Sequence, residues 1–141
     1  MTIGLREGEY ILCVYSKTGK GLWILDGVPD RLAQEVAADQ LGSAVQDALA
    51  RSRSGLDEVP RDSKPSRPLL DLLELPDYAA YLEGTRSVEV YGDGDTIEVT
   101  PFRNEGPSGG FTPIKTERAT LTLASPEQLA AEVLEAFKKA C

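Results

Sequence analysis

An alternating segment in the second half of the chain constrains the fold more than any other sequence feature. Apolar residues occupy every second position on either side of the turn Gly92–Asp95, namely Val88, Val90, Ile97 and Val99. Alternation of this kind predicts two β-strands, and the Asp-Gly step between them predicts an antiparallel hairpin. Glu89 and Glu98 fall on the opposite side, so we expect one face of the hairpin to be solvated.

Further short apolar runs predict additional strands. Tyr10–Tyr15 and Leu22–Leu25 are rich in aromatic and β-branched residues, and the glycine-containing loop Ser16–Gly21 joins them as a predicted hairpin. We expect Trp23 to anchor the core, because it can bury a large apolar surface. Segments 111–114 and 118–123 could extend the sheet, with Pro113 favouring an edge or a bulge.

Helical patterns complete the predicted fold. A helical stretch is expected from about Arg31, restarting near Asp39 with an apolar stripe that ends close to Arg51 and Arg53. After a polar, proline-rich loop at 56–68 come two short helical segments, and then Ser125-Pro-Glu-Gln128, a strong start signal for a C-terminal helix. The sequence thus predicts an α+β (mixed α/β) single domain over 1–141, with a mostly antiparallel sheet, hairpins, and helices packed against it.

Length and composition fit a protein that remains in the cytoplasm. The chain has 141 residues, with neither an apolar run long enough to span a bilayer nor an N-terminal signal-peptide pattern. Its two cysteines are Cys13, inside an apolar run, and Cys141, the last residue. These positions suggest core packing and a frayed end rather than a disulfide framework, in agreement with a reducing compartment.

The absence of histidine narrows the chemistry that the chain can perform. It excludes catalytic triads built on histidine and zinc sites that require it. The expectation is therefore a protein that is not an enzyme and needs no cofactor or metal. A hydrolase based on paired carboxylates stays open as an alternative, because some pair among 23 acids will meet the required spacing by chance.

Three local motifs favour structural interpretations. Ser16–Gly21 lacks the order of a phosphate-binding loop and precedes a strand-like run, so a hairpin loop fits it better. Asp93-Gly-Asp95 resembles the start of a calcium loop, but the later glutamate that such a loop requires is missing. The arginines and lysine of 51–67 are diluted by acids, so they suit pairing with carboxylates better than nucleic-acid binding.

Negative charge is concentrated in one segment. Asp71–Glu98 holds eight acids and a single base, Arg86, so it accounts for seven of the net eight negative charges of the chain. Such a segment repels nucleic acid and anionic membranes and speeds encounter with a basic protein partner. A solvated, solubilising face is the competing interpretation.

Three segments together resemble contact-dependent growth inhibition immunity proteins of bacteria. They are the helix-like segment 41–53 ending in Arg-Ser-Arg, and Thr96–Asn104 followed by Gly109–Ile114. The resemblance implies a small mixed α/β protein that binds the toxic C-terminal domain of a large exported protein, often a nuclease. It carries over no catalytic or contact residues.

The expected partner is therefore a cognate toxin domain, and the expected class is a basic nuclease. Acidic side chains could occupy its phosphate-binding surface by mimicking the charge of nucleic acid. An adaptor or regulatory subunit for another basic protein is the alternative. Tyrosines interleaved with the acids are expected to anchor the interface, although each could instead pack in the core. The predicted partner-binding residues are Asp71, Glu74, Asp77, Tyr78, Tyr81, Glu89, Tyr91, Asp93, Asp95 and Glu98.

Overall fold

A seven-stranded antiparallel sheet organises the molecule. The computed structural model describes all residues from 1 to 141. The elements in chain order are β1 (Thr2–Arg6), β2 (Glu9–Cys13), β3 (Tyr15–Lys17), β4 (Trp23–Leu25), β5 (Asp30–Ala33), α1 (Ala38–Arg51), α2 (Arg67–Leu73), α3 (Tyr78–Leu82), β6 (Arg86–Asp93), β7 (Thr96–Asn104), β8 (Phe111–Pro113), a 3-10 turn (Lys115–Glu117), β9 (Ala119–Thr122) and α4 (Pro126–Lys139).

The strand order is β5-β2-β1-β6-β7, after which β7 pairs with two short strands. Its first half pairs with β9 and its second half with β8. Every pairing in this sheet is antiparallel, and β3 and β4 form a separate two-stranded sheet. The predicted fold class is confirmed: one domain with a mostly antiparallel sheet, hairpins and four α-helices.

The first face of the sheet carries the main core. Ile3, Val88, Val90 and Val99 point from the central strands into a cluster of 17 buried residues that α1 and α4 complete. The two helices cross closely at Gly42, where a Cβ atom would lie 1.8 Å from the Pro126 carbonyl oxygen. Glycine at this position therefore lets the helices approach backbone to backbone.

The second face is covered over only part of its area. Ile11 and Cys13 of β2 pack against Leu69, Leu70 and Tyr81 from α2 and α3. On the β6–β7 hairpin, by contrast, the residues of this face that lie toward the turn are half-buried or exposed. We call this surface the hairpin face and define it as Glu89, Tyr91, Asp93 and Glu98.

Most predicted elements are confirmed, including the β6–β7 hairpin, the edge strand containing Pro113, and the capping box of Ser125 and Gln128 that starts α4. The first predicted hairpin is present in a shorter form, because its first strand begins at Tyr15 and residues 10–13 belong to β2 of the large sheet. Two predictions were wrong. The stretch from Arg31 forms β5 instead of a helix, because it pairs with the free edge of β2. Trp23 is 45% exposed, because it lies toward the loop end of the β3–β4 hairpin, beyond the residues that reach the core.

Candidate functional site: the hairpin face and its aromatic border

The β6–β7 pairing gathers four of the predicted binding residues on the hairpin face. Tyr91 lies directly opposite Glu98, and Asp93 lies opposite Thr96 at the turn. Since side chains alternate along a strand, Glu89, Tyr91 and Asp93 point to the same side. Asp95 lies in the adjacent turn, where the Thr96 hydroxyl donates to the Asp93 carbonyl at 2.9 Å. Gly94 of the same turn has a positive φ of 61°, which glycine adopts without strain.

Arg118 is the one basic side chain paired with the hairpin face. Its guanidinium lies 3.4 Å from a Glu98 carboxylate oxygen, and its Nε donates to the Thr100 hydroxyl at 3.0 Å. No ion pair is formed by Glu89, Asp93 or Asp95. The hairpin face therefore retains uncompensated negative charge.

A cavity of about 260 Å³ borders the hairpin face where the β3–β4 hairpin meets the ends of β1 and β6. Its lining is mostly aromatic and apolar and contains one carboxylate: Met1, Thr2, Tyr15, Trp23, Glu89, Val90 and Tyr91. Trp23 and Tyr91 are 45% and 42% exposed. Large aromatic side chains at this exposure are typical of binding surfaces rather than of cores.

A second cavity of about 190 Å³ continues from the first and shares Thr2 and Tyr15 with it. Tyr78 lies at this cavity, and burial raises the pKa of its hydroxyl. Tyr81 also lines it but is only 3% exposed, with its ring centroid 5.5 Å from that of Tyr78. Core packing, the alternative considered for Tyr81, is therefore its role in this structure, and a surface contact through Tyr81 would need local opening.

The three remaining predicted acids belong to α2 and α3 and their caps, and not to the β6–β7 hairpin. Asp71 pairs with Arg67 on α2 at 3.2 Å, and the Asp77 carboxylate caps α3 by accepting from the Ala80 amide at 2.9 Å. Glu74 ends α2 in a left-handed conformation. This end of α2 lies beside β5, since Arg31 donates to the Leu72 carbonyl.

A polar network holds the β3–β4 hairpin against the residues that follow α1. Ser52 donates its hydroxyl to the Tyr15 carbonyl at 2.6 Å, and the Lys17 amide donates to the Arg53 carbonyl at 2.9 Å. Arg51 pairs with Asp30, and Arg53 pairs with Asp26. The prediction that these arginines pair with carboxylates is confirmed, and the Arg-Ser-Arg segment fixes the strands that carry Tyr15 and Trp23.

Sequence reasoning missed Trp23 as a surface residue. The one sequence signal that bears on it is the glycine-containing loop just before Leu22, which places Trp23 close to the turn of the predicted hairpin. In the two-stranded sheet it lies directly opposite Lys17, whose ammonium group is 4.9 Å from the centre of the indole ring. This contact is a cation–π interaction.

These two cavities suit binding better than acid–base chemistry. The first contains only Glu89 as a carboxylate, and the second contains none. Where a carboxyl pKa is shifted, at Asp26 and Glu135, it is lowered by a hydrogen-bonded cation, which is opposite to the shift that a general acid requires. No group of three or more Cys, Asp or Glu side chains converges in a geometry suited to a metal ion. None of the helices combines the length and apolar character needed to cross a bilayer.

The fold of this protein is similar to that of two solved structures. No protein-family model matches the chain, and no curated protein matches it at significant similarity. Among solved structures, a protein of unknown function from Neisseria meningitidis is similar with a TM-score of 0.80 and 21% identity, covering 99% of this chain and 93% of the other. A chain of a CdiA-CT/CdiI toxin and immunity complex from Yersinia pseudotuberculosis is similar with a TM-score of 0.75 and 20% identity, covering 99% and 95%. At these identities the likeness establishes a shared fold over essentially the whole chain.

Proposed function

We propose that this protein is an immunity protein. It binds the toxic C-terminal domain of a contact-dependent growth inhibition protein, of the nuclease class, and neutralises it in the cytoplasm. The observation that carries the proposal is the likeness of 99% of the chain to a chain of a toxin and immunity complex, at a TM-score of 0.75. The sequence resemblance in 41–53 and 96–114 supports it independently.

The surface of the molecule supports a binding role. On the hairpin face Glu89 and Asp93 form no ion pair, whereas Glu98 is paired with Arg118, and the side chains of Tyr91 and the neighbouring Trp23 are exposed. Nucleases hold phosphates with basic side chains, so a negative surface can compete for the same groups. The charges would raise the association rate and fix the orientation of the two proteins, while Trp23 and Tyr91 would supply buried contact area.

The test combines growth with calorimetry. A candidate toxic domain encoded beside this gene is expressed alone and together with this protein, and the purified pair is titrated at low and at high salt. We expect arrest without the protein, growth with it, and tight binding that weakens with salt. Survival of cells that express the toxic domain alone, or failure of the two proteins to bind, would overturn the proposal.

Matched variants test how much the charges at the hairpin turn contribute to the association rate. Asp93→Asn together with Asp95→Asn removes two charges at the hairpin turn, and Glu35→Gln together with Asp39→Asn removes two exposed, unpaired charges in the segment that begins α1. The first pair should slow association severalfold more than the second. If the protein binds the toxic domain tightly yet cells still die, it is an adaptor for that domain rather than its inhibitor.

A further inference from the structure

The cavity at the border of the hairpin face has the dimensions of a site for one side chain. Its volume of about 260 Å³ falls below the roughly 300–1,000 Å³ of small-molecule sites. It opens to solvent beside Trp23 and Tyr91, both of which are more than two-fifths exposed. A protruding side chain of another protein can therefore enter it without displacing the core.

The lining favours a cationic group over an anionic or neutral one. Trp23 and Tyr91 present aromatic rings, whose faces attract cations. Glu89 adds a carboxylate that forms no ion pair within the protein. Aromatic rings combined with an unpaired carboxylate satisfy both the apolar stem and the charged head of a lysine or arginine.

Two positive groups already lie near this cavity. The Met1 amino group donates to the Val90 carbonyl at 3.0 Å, and burial lowers its pKa against the opposing effect of Glu89. Lys17 lies over the Trp23 ring at 4.9 Å. The Lys17 contact demonstrates that this indole receives a cation. An incoming cation would compete with Lys17 for the ring and be repelled by its charge.

We propose that this cavity receives a lysine or arginine side chain of a basic protein partner, held between Trp23 and Tyr91 with its charge on Glu89. The inference rests on the proposed function, under which the partner is the toxin domain. The bound side chain would anchor the partner beside the acidic hairpin face.

The first test needs no toxin. Trp23 is the only tryptophan of the chain, so its fluorescence reports on this cavity alone. The protein is titrated with hexa-arginine and with hexa-citrulline, an uncharged peptide of similar shape. We expect saturable quenching or a spectral shift with hexa-arginine only, and about tenfold weaker binding for Glu89→Gln.

The control variant Glu35→Gln, which removes an equal charge at a distance, should change the affinity less than twofold. Equal weakening by both variants would overturn the site, since the general field of the protein would then explain binding.

The variant Lys17→Met tests whether the cavity prefers a positively charged ligand. Removing this competitor should strengthen hexa-arginine binding by about two- to fivefold, because the ring is freed and a like charge is lost. Weaker binding would show that Lys17 helps to hold the ligand, and would overturn a cation site. Thermal melting of each variant confirms that the fold is intact.

Binding of the toxin domain to the wild-type protein and to its variants distinguishes failure of the cavity site from failure of the immunity function. If the toxin domain binds wild-type protein and Glu89→Gln equally, the cavity is not the contact, although the immunity function stands. If the toxin domain does not bind at all while Glu89→Gln weakens hexa-arginine binding and Lys17→Met strengthens it, the immunity function fails and the cavity remains a site for cationic side chains of another partner.

Discussion

Asp26 and Arg53 form a two-point ion pair that ties the end of the β3–β4 hairpin to the segment after α1. The Arg53 Nε and Nη2 atoms donate to the two Asp26 carboxylate oxygens at 2.8 and 3.0 Å. Ser16 donates its hydroxyl to the same carboxylate at 2.8 Å and accepts from the Arg53 amide. Because this hairpin carries Tyr15 and Trp23, the pair positions one wall of the candidate binding cavity.

The Asp26 carboxylate should make stability depend on pH in the acid range. Arg53 and then Ser16 hold its pKa at about 2, against about 3.9 in an unfolded chain. A carboxylate whose pKa is lowered by folding stabilises the folded protein at pH values above its pKa in the unfolded chain. This stabilisation is lost as pH falls from about 4 to 2. Allowing for solvent screening of the exposed arginine, we expect it to be on the order of 1 kcal/mol.

Urea unfolding of Asp26→Asn against wild type, repeated from pH 7 to pH 2, measures that contribution. The variant should be less stable at pH 7, and the difference should vanish near pH 2. Asp47→Asn, an exposed acid without an ion pair, provides the control and should differ little at any pH. A difference for Asp26→Asn that persists unchanged at pH 2 would contradict the assignment to charge.

Local signals predicted most of this fold. The β6–β7 hairpin and the α4 cap depend on residues close in sequence, so the sequence specifies them directly. The sequence predicts a helical stretch from about Arg31, where the structure has β5. This segment forms a strand because β2 offers a free edge, and tertiary pairing overrides local propensity.

The candidate site was only partly predictable for a related reason. Glu89, Tyr91, Asp93 and Glu98 belong to one hairpin, so alternation places them together. The cavity beside them also needs Trp23, which is far away in sequence and is brought close by the network of Ser52 and Arg53. Contacts between distant segments of this kind carry no periodic signal in a single sequence.

Gly42 should tolerate no side chain. A Cβ atom there would lie 1.8 Å from the Pro126 carbonyl oxygen, so α1 and α4 would have to separate. We expect Gly42→Ala to lower the free energy of unfolding by about 2–3 kcal/mol, although alanine favours helix. Ser43→Ala, an exposed neighbour in the same helix, is the control and should be neutral or slightly stabilising. Equal stability of the two variants in urea would show that the helices do not approach closely here.

The two thiols should differ sharply in reactivity. Cys13 is buried, and desolvation raises its pKa to about 12, so the reactive thiolate is scarce at neutral pH. Cys141 is exposed. Labelling of the native protein with a thiol-specific chromogenic reagent at pH 8 should therefore release one equivalent quickly, and a second only after denaturation. Cys141→Ser should abolish the fast phase, whereas fast labelling in that variant would place Cys13 at the surface.

Gly4 and Tyr81 should be energetically coupled. A Cβ atom on Gly4 would lie 2.2 Å from the Tyr81 hydroxyl oxygen, whereas the next atoms are at 3.3 Å. Gly4→Ala alone should therefore destabilise the protein by about 1–3 kcal/mol through overpacking. In a Tyr81→Phe background the clashing oxygen is gone, and the same substitution should cost less than half as much. A double-mutant cycle from urea unfolding measures this coupling, and additive effects would contradict the contact. The coupling matters for the site, because Tyr81 supports Tyr78 beneath the second cavity, and loosening it would disturb the aromatic surface from below.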